Sequence, residues 1–445
     1  MTAAATATRS DPTPYRLLAR RRRNAEIGLG LHVLLFVAGA YAVLALADGP
    51  TIPPDLPAIA GAIGGMYVVV HLAIRRLAPA ADPTLVPLIA VLNGIGFVTI
   101  TRLDRDLARI QSTWVLVGVI VFVAVLVIVR EIALLERFRY TLGFAGVAFL
   151  LLPLAPAPIG RTINGARIWA KVGPVTFQPG EVAKVLLVAF FAAYLVEKRD
   201  LLARGSRRLG RLHLPDPKHL GPLLLVWGVS IVVMVAERDL GSSLLLFSIF
   251  ATMLYMATNR SAYLVGGLAL FAAGAVVAFR TFDHVRTRVD IWIDPWADPE
   301  GKGYQIIQSW YAFAAGGLGG RGLGLGAPDK VPYAATDFIF SAIGEELGLL
   351  GTVAVIATLL LLVGAGFRAA IDSRRPFNQL FCAGLTVILG VQSFIIIGGV
   401  TRLIPLTGIT LPFVSYGGSS LIANFAIVAL LARASDEAAR RRLRP

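Results

Sequence analysis

Long apolar stretches follow one another along this chain, separated by short polar turns. The alternation of small apolar and polar steps that marks a membrane β-barrel is absent. A bilayer is crossed by about 20 apolar residues in a helix. Such a segment must satisfy its backbone polar groups internally, which selects the helix. The pattern predicts twelve spans, at about 26–47, 56–76, 84–101, 113–130, 139–154, 181–196, 220–236, 240–257, 262–280, 337–366, 378–399 and 409–432. One polar island breaks it, from Arg280 to Asp337, with three clustered aspartates, three tryptophans and a glycine-dense run. A long loop in a compact protein is usually functional or disordered, and the aromatic content argues for function.

Charge fixes the orientation. With the N-terminus inside, the cytoplasmic segments hold 27 of the 42 Lys and Arg and the external ones 14. Positive residues favour the cytoplasmic side, so both termini lie inside and the number of spans is even. The net charge of +15 is thereby accounted for without a nucleic-acid partner. The first apolar run follows a basic cluster (Arg16, Arg20 to Arg23) and is long enough to be a signal anchor. Residues Met1 to Thr13 are expected to be disordered. The single cysteine, Cys382, excludes an internal disulfide and a cysteine metal site. The fold class is an all-α polytopic membrane protein, with the large loop (281–336) outside, before the tenth helix. No internal repeat is visible, so the signature of many transporters is missing.

The external face gathers the unusual polar residues. Asp290, Asp294 and Asp298 lie at four-residue spacing beside Trp292 and Trp296. Asp298 precedes a proline, which favours extended backbone at a turn; a solvated turn is the bland reading of a loop aspartate. Gly316–Gly326 lacks the Gly-Lys-Ser/Thr of a phosphate loop, so closely approaching backbone explains it better. Glu181 and Lys184 share a helix face, and Glu345 and Glu346 fall inside a span. Charges at membrane depth pair, line a cavity or act; a structural alternative pairs Lys184 with a glutamate of the later span. Glu237 to Asp239 form a tight external turn. Arg161, Arg167 and Lys171 add positive charge to the 155–180 connection, and Arg402 does so near the C-terminus. A carboxylate can serve as general base on a hydroxyl, and Arg or Lys can clamp a pyrophosphate. A glycosyl donor used outside the membrane, away from nucleotide sugars, would be attached to lipid.

Several motifs carry a family resemblance. They are Asn164 to Trp169, Phe177 to Lys184, Asp239 to Ser242, Pro295 to Gln305, Thr336 to Phe340, Gly344 to Gly348 and Pro405 to Ser420. In this order and spacing they resemble the RodA/FtsW (SEDS) family, from about Pro156 to Ala432, in an actinobacterial, RodA-like form. The departures are Gly180 for the usual Ser, Arg238 for the usual Pro, and a changed Asn-x-Gly around Gly398 and Gly399. The family core has ten spans, so two extra are expected in the N-terminal region. The resulting organisation is a basic cytoplasmic segment (1–25), N-terminal transmembrane helices (26–154), a SEDS core (155–432) and a basic cytoplasmic tail (433–445).

The resemblance implies a peptidoglycan glycosyltransferase in the cytoplasmic membrane. It would polymerise lipid II into glycan chains on the outer face, for cell elongation, beside a class B penicillin-binding transpeptidase. Asp298, in Pro-Trp-x-Asp-Pro, is the implied catalytic residue; Asp290 and Asp294 lie outside that motif and are left to turn chemistry or support. Arg167, Lys184 and Arg402 are the implied cations for the leaving pyrophosphate, and Glu181 would hold Lys184 charged. Trp169, Asp239, Asp337 and Glu345 complete the expected substrate-binding set. No protein metal ligands are expected; a divalent cation, Mg or Mn, is left open as a cofactor. The rival readings are a lipid II flippase and a division-specific polymerase of the FtsW kind.

Overall fold

A computed structural model describes residues 14–49, 56–163, 165–204, 207–209, 212–214 and 217–443. The segment expected to be disordered (1–13) and Asn164 lie outside them. The first half of the chain runs α1 (Pro14–Asp48), α2 (Leu56–Leu77), α3 (Leu85–Leu103), α4 (Arg105–Ile128), the short α5 (Leu134–Arg137) and α6 (Arg139–Leu151). Strands β1 (Gly160–Ile163), β2 (Ala166–Val172) and β3 (Val175–Phe177) follow, then α7 (Pro179–Arg204), β4 (Arg207–Leu209) and β5 (Leu212–Leu214). Next come α8 (Pro217–Ala236), α9 (Leu240–Thr258), α10 (Ser261–Thr281), α11 (Asp283–Ile293) and α12 (Tyr304–Gly316). The chain closes with α13 (Ile339–Asp372), α14 (Pro376–Val400) and α15 (Gly418–Leu443).

Among the described residues, nine helices are long and apolar enough to cross a membrane, and two shorter apolar ones are 139–154 and 221–236. Each predicted apolar run coincides with a helix. Tyr15 of α1 donates to Asp436 of α15 at 2.8 Å, so the two described ends of the chain lie together. Helices α14 and α15 are the most enclosed of the bundle, whereas α10 buries no residue and turns its apolar surface outward. That surface suits lipid, where exposure of Leu and Val costs nothing.

The all-α polytopic class holds for the bundle, and four details are added or corrected. First, short strands accompany the helices. Residues 160–177 form an antiparallel sheet in the order β1-β2-β3, and β4 pairs with β5. The reason is legible afterwards: Ile163, Ile168, Trp169, Val172, Val175 and Thr176 favour strands, and Gly165 and Gly173 adopt positive φ at the turns. Second, the basic ends are helical. Helix α1 already begins at Pro14, a favourable first position, and α15 runs past residue 432 with Arg433 to Ala439 buried. The boundaries at 25 and 432 therefore fall inside helices.

Third, the large loop contains α11 and α12. The face of α12 with Ile306, Ile307, Ser309, Ala312 and Gly316 is buried, and Ser309 Oγ lies 2.6 Å from Ser341 Oγ of α13. Fourth, the last span starts at Gly418, not 409. The preceding residues 401–417 are irregular, yet Leu411 to Ser415 are buried. Non-helical backbone survives at such depth only where protein satisfies it. Here Leu411 N donates to Ser415 Oγ at 2.9 Å, Ser415 Oγ to Thr336 O at 2.7 Å, and Tyr416 N to Ala335 O at 2.8 Å.

The glycine run also has a defined task. Helix α13 breaks at Gly348 (φ 65°, ψ −162°), which frees backbone groups on both sides. Arg321 N and Gly322 N donate to the carbonyls of Glu345 and Glu346, and Leu349 N and Leu350 N donate to those of Gly317 and Leu318. The two backbones approach so closely that a Cβ on Gly320 would sit 2.2 Å from Glu346 O.

Candidate active site

The short turn between α8 and α9 is built by its own side chain. Asp239 caps α9, accepting from Ser242 N at 2.9 Å. The sheet is tied to this turn, because Arg167 N donates to Glu237 O at 3.0 Å. Across from it, α7 opens at Pro179 and carries Glu181 and Lys184 one turn apart. Lys184 Nζ donates to Glu181 Oε2 at 2.6 Å and to Gln392 Oε1 of α14 at 2.8 Å. Gln392 in turn donates to Thr410 O at 2.9 Å, which holds the irregular 401–417 segment against the same site.

Helix α11 supplies a second cation. Arg288 Nη1 donates to Leu406 O at 2.9 Å. A Cβ placed on Gly408 would stand 3.5 Å from Asp337 Oδ2 and 3.8 Å from Arg288 Nη2, so the arginine, the aspartate and this segment meet at one point. Burial pushes the Asp337 carboxyl up to about 6, against the pull of Arg288. Burial also raises Asp239, and the Glu181 charge adds to it, while Ser242 and Arg288 oppose it. Desolvation lowers the Arg288 guanidinium, opposed by Asp239 and Asp337. Glu237 is buried and pushed up to about 8 by desolvation and then by Asp239. The arrangement gathers two buried carboxylates and an arginine near the Glu181–Lys184 pair.

Four of the residues named from the sequence are thus brought together: Glu181, Lys184, Asp239 and Asp337. The others are placed elsewhere. Arg167 spends its guanidinium on the carbonyls of Pro153, Leu154 and Ala155 at 2.9–3.2 Å. Trp169 sits half-exposed on β2, opposite Arg161 of β1. Glu345 accepts from Ala327 N at 2.9 Å, and Glu346 pairs with Arg102 Nε at 3.1 Å. Both glutamates brace the glycine run, and Lys184 finds Gln392 in place of a glutamate of the later span.

Arg402 is held by the loop it faces. Its Nε donates to Trp292 O at 2.8 Å and its Nη2 to Ile293 O at 2.5 Å. Its guanidinium lies 5.1 Å over the Trp310 ring. Asp298 is exposed and closes its own turn, accepting Gly301 N on Oδ1 at 3.1 Å and Lys302 N on Oδ2 at 3.0 Å. A Cβ on Gly303 would meet Pro295 O at 2.0 Å, so the Asp-Pro-x-Gly-x-Gly spacing is dictated by this fold-back. Asp294, also exposed, caps the turn before it through one oxygen only, accepting Trp296 N at 3.1 Å on Oδ1.

Arg288 and Gln392 were missed by sequence reasoning. A lone amide inside an apolar span is a usable signal, and Gln392 carries it. Arg288 is one of several arginines near the loop start and has no distinguishing pattern.

The family model for FtsW, RodA and SpoVE, described as "Cell cycle protein", matches residues 83–440. That match begins well before Pro156 and leaves α1 and α2 outside it. The peptidoglycan glycosyltransferase RodA of Mycobacterium tuberculosis is 46% identical over 430 residues, covering 94% of this chain and 92% of the relative. A solved structure described as "Structural coordination of polymerization and crosslinking by a peptidoglycan synthase complex" aligns with TM-score 0.67 at 29% identity, over 81% of this chain and 98% of that one. The rod shape determining protein RodA of Thermus thermophilus aligns with TM-score 0.56 at 26% identity, over 80% and 97%.

Proposed function

The chain belongs to the FtsW/RodA/SpoVE family, and from that premise we propose how its external face performs glycosyl transfer. The protein is a multi-pass membrane peptidoglycan glycosyltransferase. Its substrate is a lipid-linked disaccharide, lipid II, which extends a growing glycan chain. The acceptor sugar 4-hydroxyl attacks C1 of the donor, the bond from C1 to the pyrophosphate oxygen breaks, and configuration inverts. The hydroxyl proton passes to a loop carboxylate, and the polyprenyl pyrophosphate leaves with the negative charge.

The Lys184–Glu181–Gln392 constellation carries this reading. It is an oriented cation at the external end of a spanning helix, where leaving-group charge develops. Preorganised charge of this kind is commonly the largest catalytic contribution. Arg288 is the second cation of the proposal. Arg167 and Arg402, already engaged by backbone carbonyls, act by holding the site's walls. Asp239 and Asp337 keep Arg288 oriented. Among the described residues no group of three or more His, Cys, Asp or Glu is arranged to hold a metal ion; a divalent cation, Mg or Mn, would come with the substrate pyrophosphate and one or two carboxylates.

Asp298 is the proposed general base, by its place in the motif. A specific observation favours a second reading, with Asp294 as base: both Asp298 oxygens accept backbone amides, whereas Asp294 has one oxygen free of such a bond. We take the working partner to be a class B penicillin-binding transpeptidase, consistent with a similar structure that couples polymerization to crosslinking.

The test is polymerisation of lipid II by the purified chain with its transpeptidase, comparing wild type, Asp294→Asn and Asp298→Asn. Loss of a general base lowers rate by about 10²–10⁴-fold. The variant showing that loss identifies the base. Full activity of both would refute a catalytic loop carboxylate, and lipid exposure without chain growth would indicate a flippase.

A further inference from the structure

Two arginines button α11 to the irregular segment before α15 from opposite sides. Arg288 of α11 reaches across to Leu406 O at 2.9 Å. Arg402 reaches back to the carbonyls of Trp292 and Ile293, the last residues of α11. Trp292 Nε1 closes the ring by donating to Arg402 O at 3.0 Å. The guanidinium also lies over Trp310 of α12, so one side chain joins three elements. Arg402 holds φ at 65°, a strained conformation that a non-glycine residue keeps only where the surroundings impose it. The backbone is bent so that this side chain can point at α11.

What Arg402 holds is the launching point of the reactive loop. Ile293, whose carbonyl it binds, immediately precedes Asp294, and Asp298 follows after a single 3-10 turn. Helix carbonyls in a last turn have no partner within the helix; here Arg402 supplies one. Both aspartates are exposed and make only local turn bonds. Their direction is therefore set by the end of α11 on one side and by the fold-back onto the start of α12 on the other. A misplacement of about 1 Å in a reacting group can cost about 10²-fold in rate.

We infer that Arg402 is a positioning residue: its fork fixes the C-terminal end of α11 and so aims the loop carboxylates at the acceptor sugar. This assigns Arg402 to geometry rather than to the pyrophosphate, and it rests on the glycosyl-transfer reading above. Lysine cannot reproduce the role, because a single ammonium lacks the planar fork that meets two adjacent carbonyls.

The experiment compares Arg402→Ala, Arg402→Lys and Trp292→Phe in the full chain with its transpeptidase, measuring kcat and KM for lipid II. Amide hydrogen exchange is followed over residues 283–303 in the same samples. The expected result is a kcat loss of about 10–100-fold for both Arg402 variants, KM within about threefold of wild type, and faster exchange confined to the end of α11 and the following turn. Trp292→Phe, which removes one bond of the ring and keeps the arginine, should give a smaller loss in the same direction. A rise in KM that lysine rescues would overturn the inference in favour of a substrate cation. Unchanged exchange, or unchanged kcat, would also overturn it. If Arg402→Ala fails to fold, Arg402→Lys and Trp292→Phe still decide the matter. Failure of the glycosyl-transfer reading is separate: it would show as full activity of both aspartate variants, whatever the exchange data say.

Discussion

The Lys184 ammonium lies 2.6 Å from the Glu181 carboxylate one turn earlier on α7, with both side chains largely shielded from solvent. Removing one member of a buried pair strands the other charge, at a cost of about 3–5 kcal/mol. Lys184→Met should therefore lower the thermal midpoint of the detergent-purified protein and abolish polymerisation. Adding Glu181→Gln should restore much of the stability but none of the activity. Recovered activity in the double variant would remove Lys184 from the mechanism.

Helix α13 can break only at a glycine. Residue 348 combines φ 65° and ψ −162° with a neighbouring amide 2.3 Å from where a Cβ would stand. Gly348→Ala should cost several kcal/mol, because both backbone strain and a backbone clash arise. Gly364→Ala, which has open space around it on the same helix, should change thermal unfolding by less than about 1 kcal/mol. Equal effects at the two positions would contradict the described pairing of the glycine run with the break.

Stability should fall as pH rises through the neutral range, with Glu237 a main cause. Its carboxyl is raised from 4.5 to about 8 by burial and by Asp239. The native state then holds a proton that the unfolded chain releases, so the contribution is full below about pH 4.5 and disappears as pH climbs through 8. Asp337, raised from 3.8 to about 6, acts in the same sense over a lower window. Glu237→Gln should flatten the thermal midpoint against pH between about 5 and 8 and raise it most at the alkaline end. A slope identical to wild type would show that Glu237 is ionised in the native protein.

Helices α1 and α15 are joined through one carboxylate. Asp436 Oδ1 accepts from Tyr15 at 2.8 Å and from Ala80 N at 2.7 Å, and Oδ2 lies 2.7 Å from Arg440. Asp436→Ala would leave these donors without their partner, and a loss of about 2–4 kcal/mol follows. Limited proteolysis near the start of α1 should become faster in that variant. Unchanged cleavage would mean that apolar packing alone seats α1.

The helical framework was legible in the chain because spanning imposes a single local rule, an apolar run closing its own hydrogen bonds. Every predicted apolar run overlaps a helix for that reason. The motifs also pointed to Glu181, Lys184, Asp239 and Asp337, which do converge. Local rules could not reveal what backbone does when another segment satisfies it. The buried irregular stretch at 411–415, the break at Gly348 and the helices within the large loop all depend on partners remote in sequence. The same limit decided the arginines. Their charge is written in the sequence, but whether a guanidinium faces substrate or a backbone carbonyl is fixed only by tertiary contacts. Arg167 and Arg402 fell on the carbonyl side, and Arg288, unremarkable in the sequence, donates to Leu406 O while lying within electrostatic reach of Asp239 and Asp337.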